Sequence, residues 1–167
     1  FKKNLIGRLT LPSFILLLTI SGIIDFFAIK NDPLFTIPDF PNSPDATWIK
    51  QNTPTNAVFL NSTYLYHPAS LAGRKIFLGW PYFSWSAGYD TNKRETLRIK
   101  LLEASFGNKN TICTILKANN IQFVSIEKTN PPDFIPNFSF WENNFLKVYN
   151  NQKSGLTIYN VTRSCLL

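Results

Sequence analysis

Residues 9–29 (LTLPSFILLLTISGIIDFFAI) form an apolar run with one formal charge, Asp25, preceded by Lys2, Lys3 and Arg8. At about 1.5 Å rise per residue, a helix of this length reaches roughly 30 Å, the hydrocarbon thickness of a bilayer. The run therefore reads as a membrane span, and the rest of the chain has to be read outward from it. A cleaved signal peptide shares the basic-then-apolar layout, but its apolar region is usually about 7–15 residues long and ends at a small-x-small site. Here the run is longer and closes on Asp25, Phe26, Phe27, Ala28, Ile29 and Lys30 with no such site, so the expectation is a retained span. A buried core helix is the remaining alternative. Three basic residues precede the run and only Lys30 directly follows it, and a Lys/Arg excess marks the cytoplasmic flank. The expected topology puts the N-terminal end in the cytoplasm and the remaining chain outside it. Asp25 lies near the outer end, where its carboxylate can snorkel to the interface or meet a neighbouring helix.

Beyond Lys30 there remain 137 residues, enough for one domain with a real core. The whole chain carries a net charge of +7; without its first 30 residues it keeps 13 basic and 9 acidic side chains, a net +4. That is too mild to argue for nucleic acid. The dense basic stretch at 93–100 (KRETLRIK) reads as the solvated face of a helix. Cys113 and Cys165 are far apart and show no CxxC or Cys/His spacing, so no metal site is expected. In an extracytoplasmic domain they can pair; alternatively Cys113, inside an apolar helical pattern, is simply a small buried residue. Sequons at Asn61, Asn137 and Asn160 occur at about the frequency that a chain rich in Asn, Ser and Thr produces by chance.

From 31 to 54 the chain carries Pro33, Pro38, Pro41, Pro44 and Pro54, which leave room only for a short helix at 46–51. This segment reads as a linker. Apolar strands are expected at 57–60 (AVFL) and 74–78 (RKIFL), separated by a Pro-initiated helical turn at 68–71. Residues 79–90 (GWPYFSWSAGYD) read as an irregular aromatic loop. Asn92, with Glu95 three residues on, fits the cap of a helix running to about Ser105 with Leu97, Leu101 and Leu102 inward. A second helix at 111–119 buries Ile112, Ile115 and Leu116, and Asn119-Asn120 suits its left-handed exit. A strand at 121–126 follows, then a loop broken by Pro131, Pro132 and Pro136, and a short segment at 138–143. Strands at 145–149 and 156–161 flank a turn-like stretch and read as a hairpin. The fold class is α/β: an N-terminal transmembrane helix, then a small three-layer-like domain with a parallel core sheet and an antiparallel C-terminal hairpin. The expected organisation is a span with basic flank at 1–30, a linker at 31–54 and the α/β domain at 55–167.

Ligands of open α/β sheets bind beyond the carboxyl ends of the strands. Two loops qualify. One holds His67, the only histidine; the other holds Trp80, Tyr82, Phe83, Trp85 and Tyr89. Aromatic faces stack on the apolar C–H face of a sugar ring, and nearby Arg, Asp and His can bond its hydroxyls. The same rings equally suit a cover for the sheet end, a dock for the membrane portion, or the headgroup level of a bilayer. His67 has no identifiable nucleophile beside it and reads as a structural histidine. Arg74 suits an ion pair with Asp90 or an anion contact, and Asp90 equally suits a helix cap. The seven glycines form no GxGxxG or GxxxxGK[ST], so a dinucleotide or P-loop site lacks its signature.

Several segments together resemble a known family: Ser21-Gly22-Ile23-Ile24-Asp25 in the span, Trp48-Ile49, the strand Pro54-Thr55-Asn56-Ala57-Val58-Phe59-Leu60, and His67-Pro68. Gly73-Arg74-Lys75-Ile76-Phe77-Leu78-Gly79-Trp80-Pro81 and Trp85-Ser86-Ala87-Gly88-Tyr89-Asp90 continue the pattern, as do Ile121-Gln122-Phe123-Val124 and the segment Leu156-Thr157-Ile158-Tyr159-Asn160-Val161. The chain resembles the last transmembrane helix and extracytoplasmic C-terminal domain of polytopic membrane proteins related to the GT-C glycosyltransferases. It departs from that pattern at Ser86-Ala87-Gly88, where a histidine is expected before the glycine. Such proteins transfer sugar from a polyprenyl-phosphate donor, with catalytic carboxylates in an early outer loop that has no counterpart here. The resemblance thus implies a noncatalytic domain without cofactor or metal. Its implied partners are membrane lipid, the transmembrane body of the same longer protein, and a glycan or polyprenyl-phosphate sugar. The candidate ligand- or interface-facing residues are His67, Arg74, Trp80, Tyr82, Trp85, Tyr89 and Asp90. A membrane-anchored binding or scaffold module without transferase activity is the competing expectation.

Overall fold

The computed structural model describes residues 2–31, 42–128 and 134–165, which form two compact units. Pro33, Pro38, Pro41, Pro131 and Pro132 lie outside the described residues. The first unit contains α1 (Lys2–Asn31), whose segment Thr10–Phe27 is long and apolar enough to cross a membrane, with a mean hydropathy of 1.8. Large apolar side chains such as Leu11, Phe14, Leu18, Ile24 and Phe27 are exposed along it. The Thr19 hydroxyl donates back to the Ile15 carbonyl at 3.0 Å, so this polar group needs no partner outside the helix.

The second unit is a mixed α/β domain. Its sheet has the order β2-β1-β3-β5-β4, from β1 (Val58–Asn61), β2 (Lys75–Ile76), β3 (Phe123–Glu127), β4 (Leu146–Asn151) and β5 (Leu156–Asn160). β1 runs parallel to both β2 and β3, with Phe59 opposite Ile76 and Phe123, whereas β5 is antiparallel to β3 and β4. This is the expected parallel core with an antiparallel hairpin. Side chains alternate across a strand, so the sheet needs cover on both faces. On one face Phe59, Phe123, Leu156 and Ile158 pack with Ala46 and Ile49 of α2 (Pro44–Asn52) and Ala69 of α3 (Pro68–Leu71). On the other, Leu60, Val124, Ile126 and Tyr159 pack with Leu101 and Leu102 of α5 (Asn92–Leu102). The same cluster takes in Ile112 and Leu116 of α6 (Lys109–Ala118) and Trp141 of α7 (Phe138–Asn144). Three layers result. Cys113 of α6 and Cys165, just after α8 (Val161–Ser164), are joined by a disulfide that ties the C-terminal end to the helical layer.

Several local expectations change. The helix expected within the linker belongs to the domain: Trp48 stacks on Tyr149 at 4.5 Å, and Tyr149 Oη and Asn151 Nδ2 both donate to Asp45 Oδ1 at 2.7 Å. Residues 79–90 are not irregular throughout, because Pro81, well placed at a first helical position, opens α4 (Pro81–Ser86). Asn92 does not cap α5; it is the first helical residue and its N–H donates to Asp90 Oδ1 at 2.9 Å. That helix ends at Leu102, short of Ser105. The 93–100 stretch is not wholly a solvated face either, since Arg98 is 1% exposed. Four helices end alike: α3, α4, α5 and α6 are each followed by a left-handed residue, namely Gly73, Gly88, Ala104 and Asn120. In each, the next N–H reaches back into the last turn, as Tyr89 to Ser84, Ser105 to Lys100 and Ile121 to Leu116, which is the Schellman motif.

Candidate functional site

Parallel register brings the carboxyl ends of β1, β2 and β3 to one edge of the domain, and chain connectivity adds the segment after β1 and helix α4. Asn61, the last residue of β1, is fully buried and holds these segments together. Its Nδ2 donates to the Leu78 and Thr63 carbonyls at 2.7 Å, and its Oδ1 accepts the Leu78 N–H at 3.2 Å. The sequon at Asn61 is therefore closed to modification in the folded domain. Arg98 reaches the same edge from α5. Its Nη1 donates to the Asn61 and Ser62 carbonyls at 2.9 Å, its Nε to Glu95 Oε2 at 3.0 Å, and its Nη2 to the Tyr64 hydroxyl at 2.8 Å. The guanidinium also lies over the Tyr64 ring at 4.3 Å and the Phe134 ring at 4.9 Å. A buried Arg survives only when its donors are used, and here carbonyls and a carboxylate take them. Tyr64 in turn donates to Glu95. Burial, reinforced by that bond, pushes the Tyr64 phenol up to about 12. Burial works against Glu95 ionisation, but the Arg98 and Tyr64 bonds hold its carboxyl below the usual range.

His67 caps α3 beside this network and is 1% exposed. Its Nδ1 accepts the Ala69 N–H at 3.1 Å, which leaves Nε2 to carry the ring proton and donate to Ser125 Oγ at 2.9 Å. The Ser125 hydroxyl in turn donates a hydrogen bond to the Leu60 carbonyl at 3.1 Å. Glu127 Oε1 stands 3.9 Å from the same Nε2. Serine, histidine and carboxylate thus meet, a grouping that sequence reasoning did not find because only β1–β3 register brings Ser125 and Glu127 to His67. The grouping does not have the wiring of a catalytic triad. In a triad the serine gives its proton to a histidine nitrogen, while the acid holds the other nitrogen. Here the acid lies on the serine's side, the other nitrogen is spent on backbone, and Ser125 is fully buried. Burial pushes the His67 ring down to about 3, against an opposing pull from Asp45, so it stays neutral at physiological pH. Burial raises the Glu127 carboxyl, with the Thr63 hydroxyl partly offsetting it.

The aromatic residues face the other way. Trp80 is 42% exposed and Trp85 65%, and Tyr82, Phe83 and Tyr89 are as open as Trp85; α4 buries none of its residues. The rings therefore do not cover the sheet end. Trp80 meets Tyr64 edge-on at 5.7 Å, which fixes one end of the aromatic face to the Arg98 network, and Tyr82 leans on Trp85 at 5.9 Å.

Arg74 and Asp90 do not join this face as a pair. Arg74 turns to the end of α2, donating from Nη2 to the Lys50 and Thr53 carbonyls at 2.9 Å and from Nε to Thr53 Oγ1 at 3.1 Å. Its Nη1 takes the Ala72 carbonyl at 3.1 Å. The last carbonyls of a helix carry partial negative charge, so the guanidinium satisfies them where the ion-pair reading had paired it with Asp90. Asp90 is exposed and receives the Asn92 N–H. Of the seven candidates, Trp80, Tyr82, Trp85 and Tyr89 share one exposed segment, Asp90 follows it and accepts the first N–H of α5, His67 is buried against Ser125, and Arg74 serves the packing of α2. Among the described residues no cluster of His, Cys, Asp and Glu fits a metal ion. No protein-family model matches the chain, and no curated protein matches it.

Proposed function

We propose that the chain is a membrane-anchored, extracytoplasmic α/β module of a polytopic, GT-C-like glycosyltransferase, in which this domain recognises an acceptor or lipid-linked sugar rather than performing the transfer. The observation that carries this reading is the exposed aromatic segment around α4, with Trp80, Tyr82, Trp85 and Tyr89 open to solvent beyond the carboxyl ends of the parallel strands. Rings held open at that edge suit stacking against a sugar. Two further features support it: an apolar helix of spanning length, and a disulfide, which is stable in the oxidising compartments outside the cytoplasm. His67 acts as a structural element, both ring nitrogens being engaged.

The test uses the full chain in lipid nanodiscs with a polyprenyl-phosphate-linked sugar and the free oligosaccharide as probes. Trp80→Ala and Trp85→Ala are expected to weaken binding while leaving thermal stability nearly unchanged. Unchanged binding with lost stability sinks the reading. Reading the natural gene upstream of Phe1 separates the two forms of the proposal: further apolar spans with an acidic early outer loop favour the transferase. A start codon directly upstream favours an anchored binding or scaffold module.

A further inference from the structure

A cleft of about 350 Å³ lies between α7 and the C-terminal hairpin, within the size range of small-molecule sites. Two buried β5 side chains prepare its polar groups. The Tyr159 hydroxyl donates to Glu142 Oε2 at 3.0 Å, while Lys147 donates to Glu142 Oε1, so the carboxylate is held in one orientation. Thr157 Oγ1 donates to Asn150 Oδ1 at 3.1 Å, which leaves the Asn150 amide N–H groups for a ligand. Ser139, Glu142 and Asn143 share one face of α7 through their i, i+3, i+4 spacing, and Ser139 and Asn143 have no side-chain partner among the described residues. Phe138 supplies an aromatic wall with the Lys128 ammonium over its ring at 5.5 Å.

We propose that this cleft binds a sugar acid, a hydroxylated ring bearing one carboxylate. The fixed Glu142 oxygens accept ligand hydroxyls, the Asn143, Asn150 and Ser139 groups donate or accept in turn, and the Phe138 ring supplies apolar contact to ligand C–H groups. Glu142 forms its ion pair with Lys147, and the Lys128 ammonium brings a second positive charge to the cleft, so the two lysines outweigh the one carboxylate and favour a ligand carboxylate. Because protein bonds already hold Glu142 and Asn150, these two groups need little ordering on binding. The site is separate from the aromatic face of α4 and does not depend on the function proposed for it.

The test measures saturable binding of D-glucuronate to the full chain in nanodiscs by saturation-transfer NMR, with D-glucose and acetate as comparators. Glucuronate is expected to bind at least roughly tenfold tighter than either comparator, because each lacks one half of the contacts. Asn143→Ala and Lys128→Ala, both at exposed positions, are expected to weaken glucuronate binding by about tenfold with unchanged melting temperature. The double variant Trp80→Ala/Trp85→Ala is expected to bind glucuronate as the parent does. Absent saturation, equal binding of glucose, unaffected Asn143 and Lys128 variants, or loss in the tryptophan double variant each overturns the assignment.

Discussion

His67 carries one ring proton, and both nitrogens are committed, one to the Ala69 N–H and one to Ser125. Adding a second proton would bury a charge, and that loss of solvation, only partly offset by the Asp45 carboxylate, lowers the ring from its ordinary 6.5 to about 3. A pKa lower in the folded than in the unfolded chain means that the unfolded chain binds the proton first. Stability is then full above pH 6.5 and falls as the pH drops toward 3, at up to about 1.4 kcal/mol per pH unit. Glu127 acts oppositely: its raised carboxyl pKa lets protonation relieve a buried charge as the pH falls through that value. Urea titrations between pH 6.5 and 5 should show the His67 slope, and His67→Gln should flatten it. Ala104 is a second residue-scale case, a left-handed alanine where α3 and α4 use glycine. Ala104→Gly removes the Cβ clash at that angle and should stabilise the domain by about 0.5–1 kcal/mol in denaturant melts. Asn120 could be placed at its helix exit from sequence, because an Asn-Asn pair after an apolar helical pattern has few other uses. Arg98 could not. It is one of several basic residues in a charged stretch, and only the tertiary fold puts carbonyls, a carboxylate and two rings around it.

At the scale of elements, α4 and α7 make an instructive contrast. Both are short and aromatic, yet Trp141 of α7 is fully buried with its Nε1–H on the Leu102 carbonyl at 2.9 Å, whereas α4 presents its rings outward. Trp141→Ala should therefore cost roughly 3–5 kcal/mol, while Trp85→Ala should stay within about 0.5 kcal/mol of the parent in the same denaturant melts. Composition alone cannot separate the two, because a cluster of aromatic residues is equally suited to a core and to a binding face. The helix in 79–90 was hidden for a related reason: six residues are too few for a periodic pattern, and its start and stop lie in Pro81 and Gly88. The α2 helix is legible among its prolines, but its place in the domain core is not. Its burial depends on Tyr149 and Asn151, about a hundred positions away.

For the whole molecule, the Cys113–Cys165 disulfide closes 52 positions of chain around α6, β3, α7 and the hairpin. In the chain-entropy account a loop of that length contributes about 4 kcal/mol, so reduction should lower the stability of the α/β domain by that order and shift its urea midpoint markedly. An unchanged midpoint in dithiothreitol would show that the bridge constrains little. The spacing of the two cysteines left both pairing and simple burial open, because pairing depends on where α6 and α8 come to rest. The sequence by itself determined the span-length apolar helix, the alternation of short strands with helices, the parallel core and the closing hairpin. Those features follow from local periodicity, turn chemistry and the reach of a helix across apolar thickness. Only the tertiary structure decided which aromatic side chains face water, which arginine is buried, and that Ser125 and Glu127 stand beside His67. These are long-range contacts, set by register between strands 60 or more positions apart and by which helix covers which face, and no local pattern encodes them.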